Sequence, residues 1–301
     1  MLMTGKSYRG KLLPLTESEA AATARLKSDV MVLAGERNTD NYHQLELAAE
    51  FITNRFRDLD YTVRRDEYEV NGLSVANIVA ERTGGKRGDE ILVVGAHYDS
   101  PNGSVGADDN ASSVVGVLEL ARRFRDVHSK RTVRFVAFVN EEPPYFQTDL
   151  MGSRVYAKRA RERGEKIKAM LCLDCIGYYS DKAGSQIYQP PLDRFYPNTA
   201  DFIAFVSNIR SCLLLRRCIK IFRKTTQFPS EGLVGPESIA GVGWSDHSSF
   251  WHENYPAIMI TDTAHLRNPH YHQPSDTPEK LDYEKLSRVV VGIGNVVQSL
   301  L

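Results

Sequence analysis

The chain has 301 residues, 42% of them hydrophobic, so it is long enough to bury a full core as one large domain. Its 38 basic and 38 acidic residues give a formal net charge of zero, which excludes a global field favouring nucleic acid or an anionic membrane. No apolar run approaches the ~18 residues that a membrane-spanning segment needs. Any electrostatic function must therefore be local.

The start of the chain predicts an extended N-terminal arm, residues 1–15, before a single domain, residues 16–301. The arm lacks the apolar core of a secretory signal, as expected of a cytoplasmic protein, although an exported protein that had lost its signal would look the same. Thr16-Glu-Ser-Glu19 is a capping box and predicts a helix that runs to about Leu33. Apolar residues at helical spacing predict a second helix from about Asp40 to Leu59.

A hairpin and four buried strands are predicted next. Asn71-Gly72, a strong hairpin signal, joins the strand-like segments Tyr61–Val70 and Leu73–Arg82. Four short apolar runs then alternate with helical segments, as strands of a buried parallel sheet do; they are Ile91–Gly95, Thr132–Val139, Ala169–Leu173 and Tyr255–Ile260. This alternation predicts an α/β protein, a three-layer α/β/α sandwich with a mixed, mostly parallel central sheet.

The remaining segments complete the predicted order of elements. Helices are expected at Ala111–Phe124, at residues 151–163, near Ala200–Leu214 and from Asp282 to Leu301. Ser180–Thr199 predicts a long loop with one short strand near Ile187, and residues 225–247 predict another loop. The basic segment Arg216–Lys224 is interpreted as a half-exposed strand with solvated charges.

Four cysteines do not make a disulfide framework. Cys172 and Cys175 have the spacing of a metal-binding pair, but they lie in an apolar run and have no second pair at the matching distance, so buried free thiols are favoured. Cys212 and Cys218 could pair across a turn, and the sequence leaves that open.

Polar residues that can bind a metal follow each of the four buried strands. They are His97 with Asp109 in the loop beyond it, Glu141-Glu142, Asp174, and the histidines of Asn268-Pro-His270-Tyr-His272. In α/β folds ligands bind at the carboxyl ends of the strands. So many carboxylates in one cleft would repel each other without cations, and the histidines favour zinc over calcium or magnesium.

Each of these residues alone has an ordinary structural explanation, such as a solvated turn, a helix cap or a surface histidine. Their coincidence at corresponding strand ends favours a metal site, and the number of carboxylates with two separate histidine sources favours two metals. Neighbouring residues at a strand end point in different directions, so one of Glu141 and Glu142 can bind metal while the other takes a proton from water. This pattern predicts metal-assisted hydrolysis.

The motifs occur in an order that resembles a known family. They are Gly95-Ala-His-Tyr-Asp-Ser100, Gly106-Ala-Asp-Asp-Asn-Ala-Ser112, Asn140-Glu-Glu142, Leu173-Asp174, Ser245-Asp-His247 and His270-Tyr-His272. In this order they resemble the co-catalytic binuclear zinc aminopeptidases of the bacterial leucyl-aminopeptidase type. That family also includes glutamate carboxypeptidase-like and transferrin-receptor-like members. The resemblance covers roughly residues 40 to 300.

The resemblance implies a metal-binding role for five residues and two Zn²⁺ ions per chain. His97 and Asp174 would bind one zinc ion, and Glu142 and His272 would bind the other. Asp109, the second of two adjacent aspartates, would bridge the two ions.

Three further residues take catalytic or supporting roles by the same resemblance. Glu141 would be the general base and acid, Asp99 would orient His97 through its other ring nitrogen, and Tyr271 would steady the tetrahedral oxyanion. The chain departs from the family in two places. Pro143-Pro-Tyr-Phe146 replaces a Gly- or Leu-containing stretch, and Gly241-Val-Gly-Trp244 lacks a tyrosine that some members use.

The resemblance implies an aminopeptidase that removes N-terminal residues from peptides. We expect its side-chain pocket to draw on four aromatic residues, Tyr145, Phe146, Trp244 and Phe250. The oligomeric state and the physiological peptide stay open.

Three alternatives remain at this point. A single-zinc glutaminyl-peptide cyclotransferase would share the scaffold, but that group lacks tandem aspartates such as Asp108-Asp109. A carboxypeptidase acting on acidic peptides would need a basic cluster at the pocket, for which Arg267 and Arg216–Lys224 are candidates. A receptor-like domain that has lost its metals is disfavoured, because all five ligands and the base are retained.

Overall fold

The computed structural model describes residues 3–301 and contains one eight-stranded sheet with helices on both faces, so the predicted fold class is confirmed. The strands are β1 (Thr62–Val70), β2 (Leu73–Arg82), β3 (Arg87–His97), β4 (Arg131–Phe138), β5 (Lys166–Leu173), β6 (Ile203–Ser207), β7 (Ser230–Val234) and β8 (Ala257–Thr261). The helices are α1 (Glu17–Leu33), α2 (Tyr42–Arg57), α3 (Ser113–Phe124), α4 (Gly152–Glu162), α5 (Cys212–Thr225), α6 (His247–His252) and α7 (Tyr283–Leu300).

The sheet is parallel in its centre and antiparallel towards both sides. The strand order is β1-β2-β4-β3-β5-β8-β6-β7, and the four central strands β4, β3, β5 and β8 run in the same direction. The β1–β2 hairpin joins β4 antiparallel on one side, and β6 joins β8 antiparallel on the other. The carboxyl ends of the central strands therefore lie at one edge, where a site is expected.

Alternate residues of each strand enter two separate cores, as the pleat of a strand requires. On β3, Leu92 and Val94 pack into the larger core with α1, α2, α3, α5 and α7. The neighbouring Ile91 and Val93 pack into the smaller core with α4 and α6. Because both faces of β3 are covered, its sequence is a continuous apolar run.

Local signals in the first half of the chain predicted their elements well. Thr16 and Glu19 form both hydrogen bonds of the capping box at the start of α1. Asn71 and Gly72 have φ angles of 51° and 80°, the positive values that a tight hairpin turn requires at both central residues.

The prediction for residues 200–234 is wrong. The segment predicted as a helix near Ala200–Leu214 contains β6, and the predicted strand Arg216–Lys224 lies inside α5. Leu215, Cys218, Ile219 and Phe222 are all buried, and their spacing of three and four residues marks one face of a helix. The predicted loop 225–247 contains β7. Within residues 3–301, no strand forms near Ile187, where one was predicted.

The cysteines are free thiols. Cys172 and Cys175 are buried, as predicted. Cys212 and Cys218 are also free, and they lie nearly two turns apart on α5 rather than across a turn.

The two edges of the sheet differ in what covers them. On β7, the N-terminal arm lies alongside: Ser7 Oγ accepts a hydrogen bond of 2.9 Å from the Ser230 backbone N–H, and Arg9 forms an ion pair of 2.8 Å with Glu231. On β1, the sequence Arg64-Arg-Asp-Glu67 presents a run of charged residues. Within residues 3–301, no helix has the length and apolar character needed to cross a membrane.

Candidate active site

The structure brings all five predicted metal-binding side chains to the carboxyl end of the central sheet. His97 is the last residue of β3, Glu142 lies four residues beyond β4, and Asp174 directly follows β5. Asp109 lies in a short irregular helical turn, Ala107–Ser112, that leads into α3, and His272 lies in the loop after β8. Their potential ligand atoms fall into groups whose members lie within 4.8 Å of one another.

Asp109 stands between the two histidines. Its Oδ1 lies 3.4 Å from His97 Nε2, and its Oδ2 lies 3.0 Å from His272 Nε2. On the first side, Asp174 Oδ2 is 3.9 Å from His97 Nε2. On the second side, Glu142 Oε2 is 3.5 Å from His272 Nε2. This arrangement makes two groups that share one carboxylate.

The buried polar atoms of these residues fit zinc. His97 Nδ1, Asp109 Oδ2, Glu142 Oε1 and His272 Nε2 are buried, and none has a hydrogen-bond partner within residues 3–301. Leaving such atoms unpaired costs free energy, so a native fold normally supplies a partner. Imidazole and carboxylate groups are zinc ligands.

The pKa shifts of the buried acids and of His97 also indicate that a cation would stabilise this site. Burial raises the pKa of Glu142, and the neighbouring acids raise it further. Burial also raises the pKa of Asp174, and the nearby Asp109 adds to this effect. At Asp109 burial acts in the same direction, but the adjacent His272 and His97 rings outweigh it and lower the pKa. Burial opposes protonation of His97, but the surrounding carboxylates, Glu141 foremost, raise its pKa well above the usual value.

Glu141 faces the same cavity. Its Oε2 lies 3.8 Å from His97 Nε2. The potential ligand atoms of Glu141, His97 and Glu142 also lie close to one another. Burial raises its pKa well above the usual value of a glutamate. A carboxylate with a raised pKa, held beside the metal ligands, is suited to accept a proton.

Asp99 connects the histidine to the glutamate pair. Its two oxygens accept hydrogen bonds from the backbone N–H groups of Glu141, at 3.1 Å, and Glu142, at 3.0 Å. Its Oδ1 also lies 3.4 Å from His97 Nδ1. The sequence predicted the approach to His97, whereas the two backbone bonds have no sequence signal.

Two buried aspartates that were not predicted support the turn that carries Asp109. Asp276 accepts hydrogen bonds from the backbone N–H groups of Asp108 and Asp109, each at 3.1 Å. Asp108 accepts from the Asn268 side chain at 2.8 Å and from the Gly177 backbone N–H at 2.9 Å. The tandem aspartates therefore have different surroundings.

The other motif residues lie around the centre. The His270 ring forms its hydrogen bond with Ser275 Oγ on the exposed side of the loop, so of the two loop histidines only His272 joins the cluster. In the Ser-Asp-His motif, His247 Nε2 is 2.8 Å from the Val242 carbonyl oxygen. Both carboxylate oxygens of Asp246 are buried without a hydrogen-bond partner within residues 3–301, and burial raises its pKa to about 7.

Tyr271 lies between the metal ligands and a pocket. Its ring stacks on the His272 ring with a centroid distance of 3.9 Å, and His265 and then Trp244 continue the row of rings outward. Tyr271 also lines the pocket.

The pocket adjoins Asp174, has a volume of about 120 Å³ and is partly open to solvent. Trp244 lines it, as predicted. Phe250 does not, because it is fully buried in the smaller core, and Tyr145 and Phe146 are also outside the lining. The walls are instead largely apolar and aromatic, formed by Tyr188, Leu192, Tyr196, Phe202, Val206, Leu233, Val242 and Met259.

The predicted basic candidates do not form a basic cluster in this pocket. Arg267 is buried, where it donates hydrogen bonds to Gln186 and to the Phe202 carbonyl oxygen. In the segment Arg216–Lys224, Arg223 reaches the sheet edge, and it is bound there to Ser230 and Gly5.

Comparison with known proteins gives consistent matches. The family model described as peptidase family M28 matches residues 77–297. An uncharacterized protein of Escherichia coli K12, YfbL, is 38% identical over 266 residues, which cover 85% of this chain and 81% of that protein. Leucine aminopeptidase 1 of Arthroderma otae is 29% identical over 223 residues, 68% of this chain and 54% of that protein. The chain thus spans about half the length of the fungal aminopeptidases that it matches.

Solved structures share the fold at low sequence identity. BSAP, a zinc aminopeptidase from Bacillus subtilis, has a TM-score of 0.75 and 14% identity, with 96% of each chain covered. A glutaminyl cyclase from Bacteroides thetaiotaomicron has a TM-score of 0.68 and 15% identity, with 93% of this chain and 97% of that chain covered. The fold is therefore common to both chemistries, and the residues of the site must separate them.

Proposed function

Because the chain belongs to peptidase family M28, we propose that it is a two-zinc aminopeptidase that uses Glu141 as its general base. Family membership makes it a peptidase, and the zinc aminopeptidase from Bacillus subtilis shares its fold. The number of zinc ions, the roles of the residues and the removal of N-terminal residues from peptides are parts of the proposal.

One observation carries the proposal. Asp109 presents one oxygen to His97 and the other to His272, two histidines that lie far apart in the sequence. His97 and Asp174 would hold one zinc ion with Asp109, and Glu142 and His272 would hold the second. Bound zinc would lower the pKa of a coordinated water and polarise the scissile carbonyl.

The chain's own residues supply the proton transfers and the positioning. Glu141 would take a proton from the attacking water and return it to the leaving amine, since its carboxylate lies beside the residues that would hold the zinc ions. Asp99 would hold the backbone of Glu141 and Glu142 and face the His97 ring, which fixes the base relative to the ligands. The hydroxyl of Tyr271, which lines the pocket beside His272, would donate to the developing oxyanion.

The glutaminyl cyclotransferase alternative predicts a different metal content. It needs one zinc ion, whereas the shared position of Asp109 and the full set of five ligands support two. The receptor-like alternative predicts no turnover even when metal is bound.

Metal counting combined with turnover tests the proposal. We expect the purified chain, after incubation with zinc and gel filtration, to hold two zinc ions and to hydrolyse leucine p-nitroanilide. A chelator should abolish this activity, and added zinc should restore it. Asp174→Ala should leave about one zinc ion, and Asp109→Ala should weaken both sites, because Asp109 lies beside both histidines.

Asp126→Ala is the matched control, since the Asp126 side chain is 83% exposed and lies outside the site. It should keep two zinc ions and full activity. One zinc ion per chain, together with cyclisation of a glutaminyl peptide and no release of leucine, would contradict the proposal and support the cyclotransferase.

A further inference from the structure

A row of residues crosses the sheet from the metal centre to the edge strand. Asp174 directly follows β5, and its backbone N–H donates to the carbonyl oxygen of Ile260 on β8. The next residue of β8, Thr261, pairs with Ala204 on β6, and Ala204 pairs with Glu231 on β7. Three strand spacings separate the ends of this row, about 14 Å in all.

The row forms part of the pocket. Asp174, Thr261, Ala204 and Glu231 all contribute to its lining. The two middle residues are small, so the row makes a trench, and the parallel row of Met259, Val206 and Leu233 makes an apolar wall. A side chain that starts near Asp174 can therefore extend across the sheet towards Glu231.

At the far end of the trench, Glu231 forms an ion pair with the N-terminal arm. Arg9 lies 2.8 Å from Glu231 Oε1, and the Glu231 side chain is only 15% exposed. Arg223, the next cation, is further away at 3.7 Å and is already bound to Ser230 and Gly5. Arg9 is therefore the nearest cation to the Glu231 carboxylate.

We propose that the Arg9–Glu231 pair sets the side-chain selectivity of this pocket, an inference that rests on the proposed aminopeptidase function. With Arg9 in place, the charge of Glu231 is compensated, and the apolar trench favours substrates with a long uncharged N-terminal residue such as leucine, methionine or phenylalanine. Without Arg9, the Glu231 carboxylate loses its nearest cation and keeps only Arg223 at 3.7 Å, so it can pair with the cationic end of a substrate lysine or arginine.

Two features make the pair simple to test. Arg9 lies outside residues 77–297, the part matched by the family model. Its side chain is 62% exposed, and ion pairs as exposed as this contribute little to folding stability, so removing the arginine should leave the fold intact.

The test compares kcat/KM for lysine and leucine p-nitroanilides in the zinc-loaded full chain. Arg9→Ala should raise the lysine-to-leucine ratio about fivefold, the effect expected of one partly screened ion pair. Lys6→Ala is the matched control: Lys6 is an exposed cation of the same arm with no ion pair among residues 3–301, so the ratio should not change. Adding Glu231→Gln to Arg9→Ala should remove the gain.

Binding gives a readout that does not depend on turnover. In a Glu141→Gln background, calorimetric Kd values for lysine amide and leucine amide should show the same fivefold shift with Arg9→Ala and none with Lys6→Ala. If Arg9→Ala and Lys6→Ala give equal ratios in both measurements, the inference is overturned. If the zinc-loaded parent hydrolyses no aminoacyl substrate but the Kd ratio shifts, the proposed function fails and the role of the pocket stands.

Discussion

Glu141 and Glu142 are neighbours in sequence with different surroundings. Asn140, just before them, has a φ of 57°, so the chain turns sharply as it leaves β4. Asp99 then binds both backbone N–H groups, which fixes the direction of each side chain. Glu142 faces His272 and Asp109, whereas Glu141 lies on the side of His97. This geometry lets one carboxylate bind metal and the other exchange protons.

Replacing Glu141 by glutamine should separate these two roles. Glutamine has the same shape but cannot accept the proton, so we expect Glu141→Gln to keep both zinc ions and to lose about 10²- to 10⁴-fold in kcat. Metal analysis and single-turnover kinetics on the same sample measure both effects. The control is Glu142→Gln, which should lose zinc as well as activity. Retention of parental turnover by Glu141→Gln would assign the base elsewhere.

Residues that act at strand ends could be predicted, whereas those that act through long-range contacts could not. His97, Glu141, Glu142 and Asp174 follow apolar runs, and the topology of an α/β sheet gathers such positions at one edge. Asp276 contacts Asp109 only because the chain returns to this turn much later, and the sequence around Asp276 gives no indication of that contact.

At the scale of elements, the contact between the end of β4 and the start of α4 positions Glu141 and Glu142. The Gly152 backbone N–H donates to the Val139 carbonyl oxygen at 2.8 Å, two residues before Glu141. The buried Asn77 on β2 bridges the same contact: its amide donates to the Gly152 carbonyl oxygen, and its side-chain oxygen accepts from the Val139 N–H. The beginning of α4 thus packs directly on the end of β4.

Gly152→Ala should therefore destabilise the protein. An added Cβ would overlap the Val139 carbonyl oxygen and the Asn77 side-chain oxygen, and both are held in place by hydrogen bonds. Overpacking of this kind costs about 1–3 kcal/mol in the free energy of unfolding. Urea unfolding measures it, with Gly35→Ala as the control, because a Cβ at Gly35 would meet no atom within 4 Å. Equal stability of the two variants would contradict the role given to this contact.

The elements of the first half were predicted because local signals agreed with the tertiary structure, as at the Asn71-Gly72 turn. The region of β6, α5 and β7 failed for a different reason. Short buried strands and helix segments are both apolar, and only the spacing of Leu215, Cys218 and Phe222 distinguishes α5 from a strand. The edge strand β7 contains a glycine and a glutamate, so its composition resembles that of a loop.

At the scale of the whole molecule, the fold concentrates buried acids around the centre. Burial raises the pKa of Asp246 and of Asp262 to about 7 and that of Asp276 to about 6. In the unfolded chain these groups return to ordinary aspartate values. Folding is therefore favoured while they are protonated, and this contribution is lost as the pH rises through their folded pKa values.

The metal-free protein should accordingly be less stable at pH 8 than at pH 6, by on the order of 2–3 kcal/mol. Zinc should reduce the difference, because a cation at the centre stabilises the ionised carboxylates. Thermal unfolding of chelator-treated and zinc-loaded samples at the two pH values measures both effects. A metal-free protein with the same stability at pH 6 and pH 8 would show that these acids do not titrate with folding.

The different covering of the two sheet edges has a consequence for self-association. A bare edge strand offers unpaired backbone groups to a second chain, and this is a common route to aggregation. Exposed charged residues such as Arg64 and Glu67 discourage such pairing at β1, whereas β7 depends on the arm that carries Ser7 and Arg9. Proteolytic loss of the arm would therefore leave β7 as a template for strand exchange between copies, while the opposite edge would stay protected.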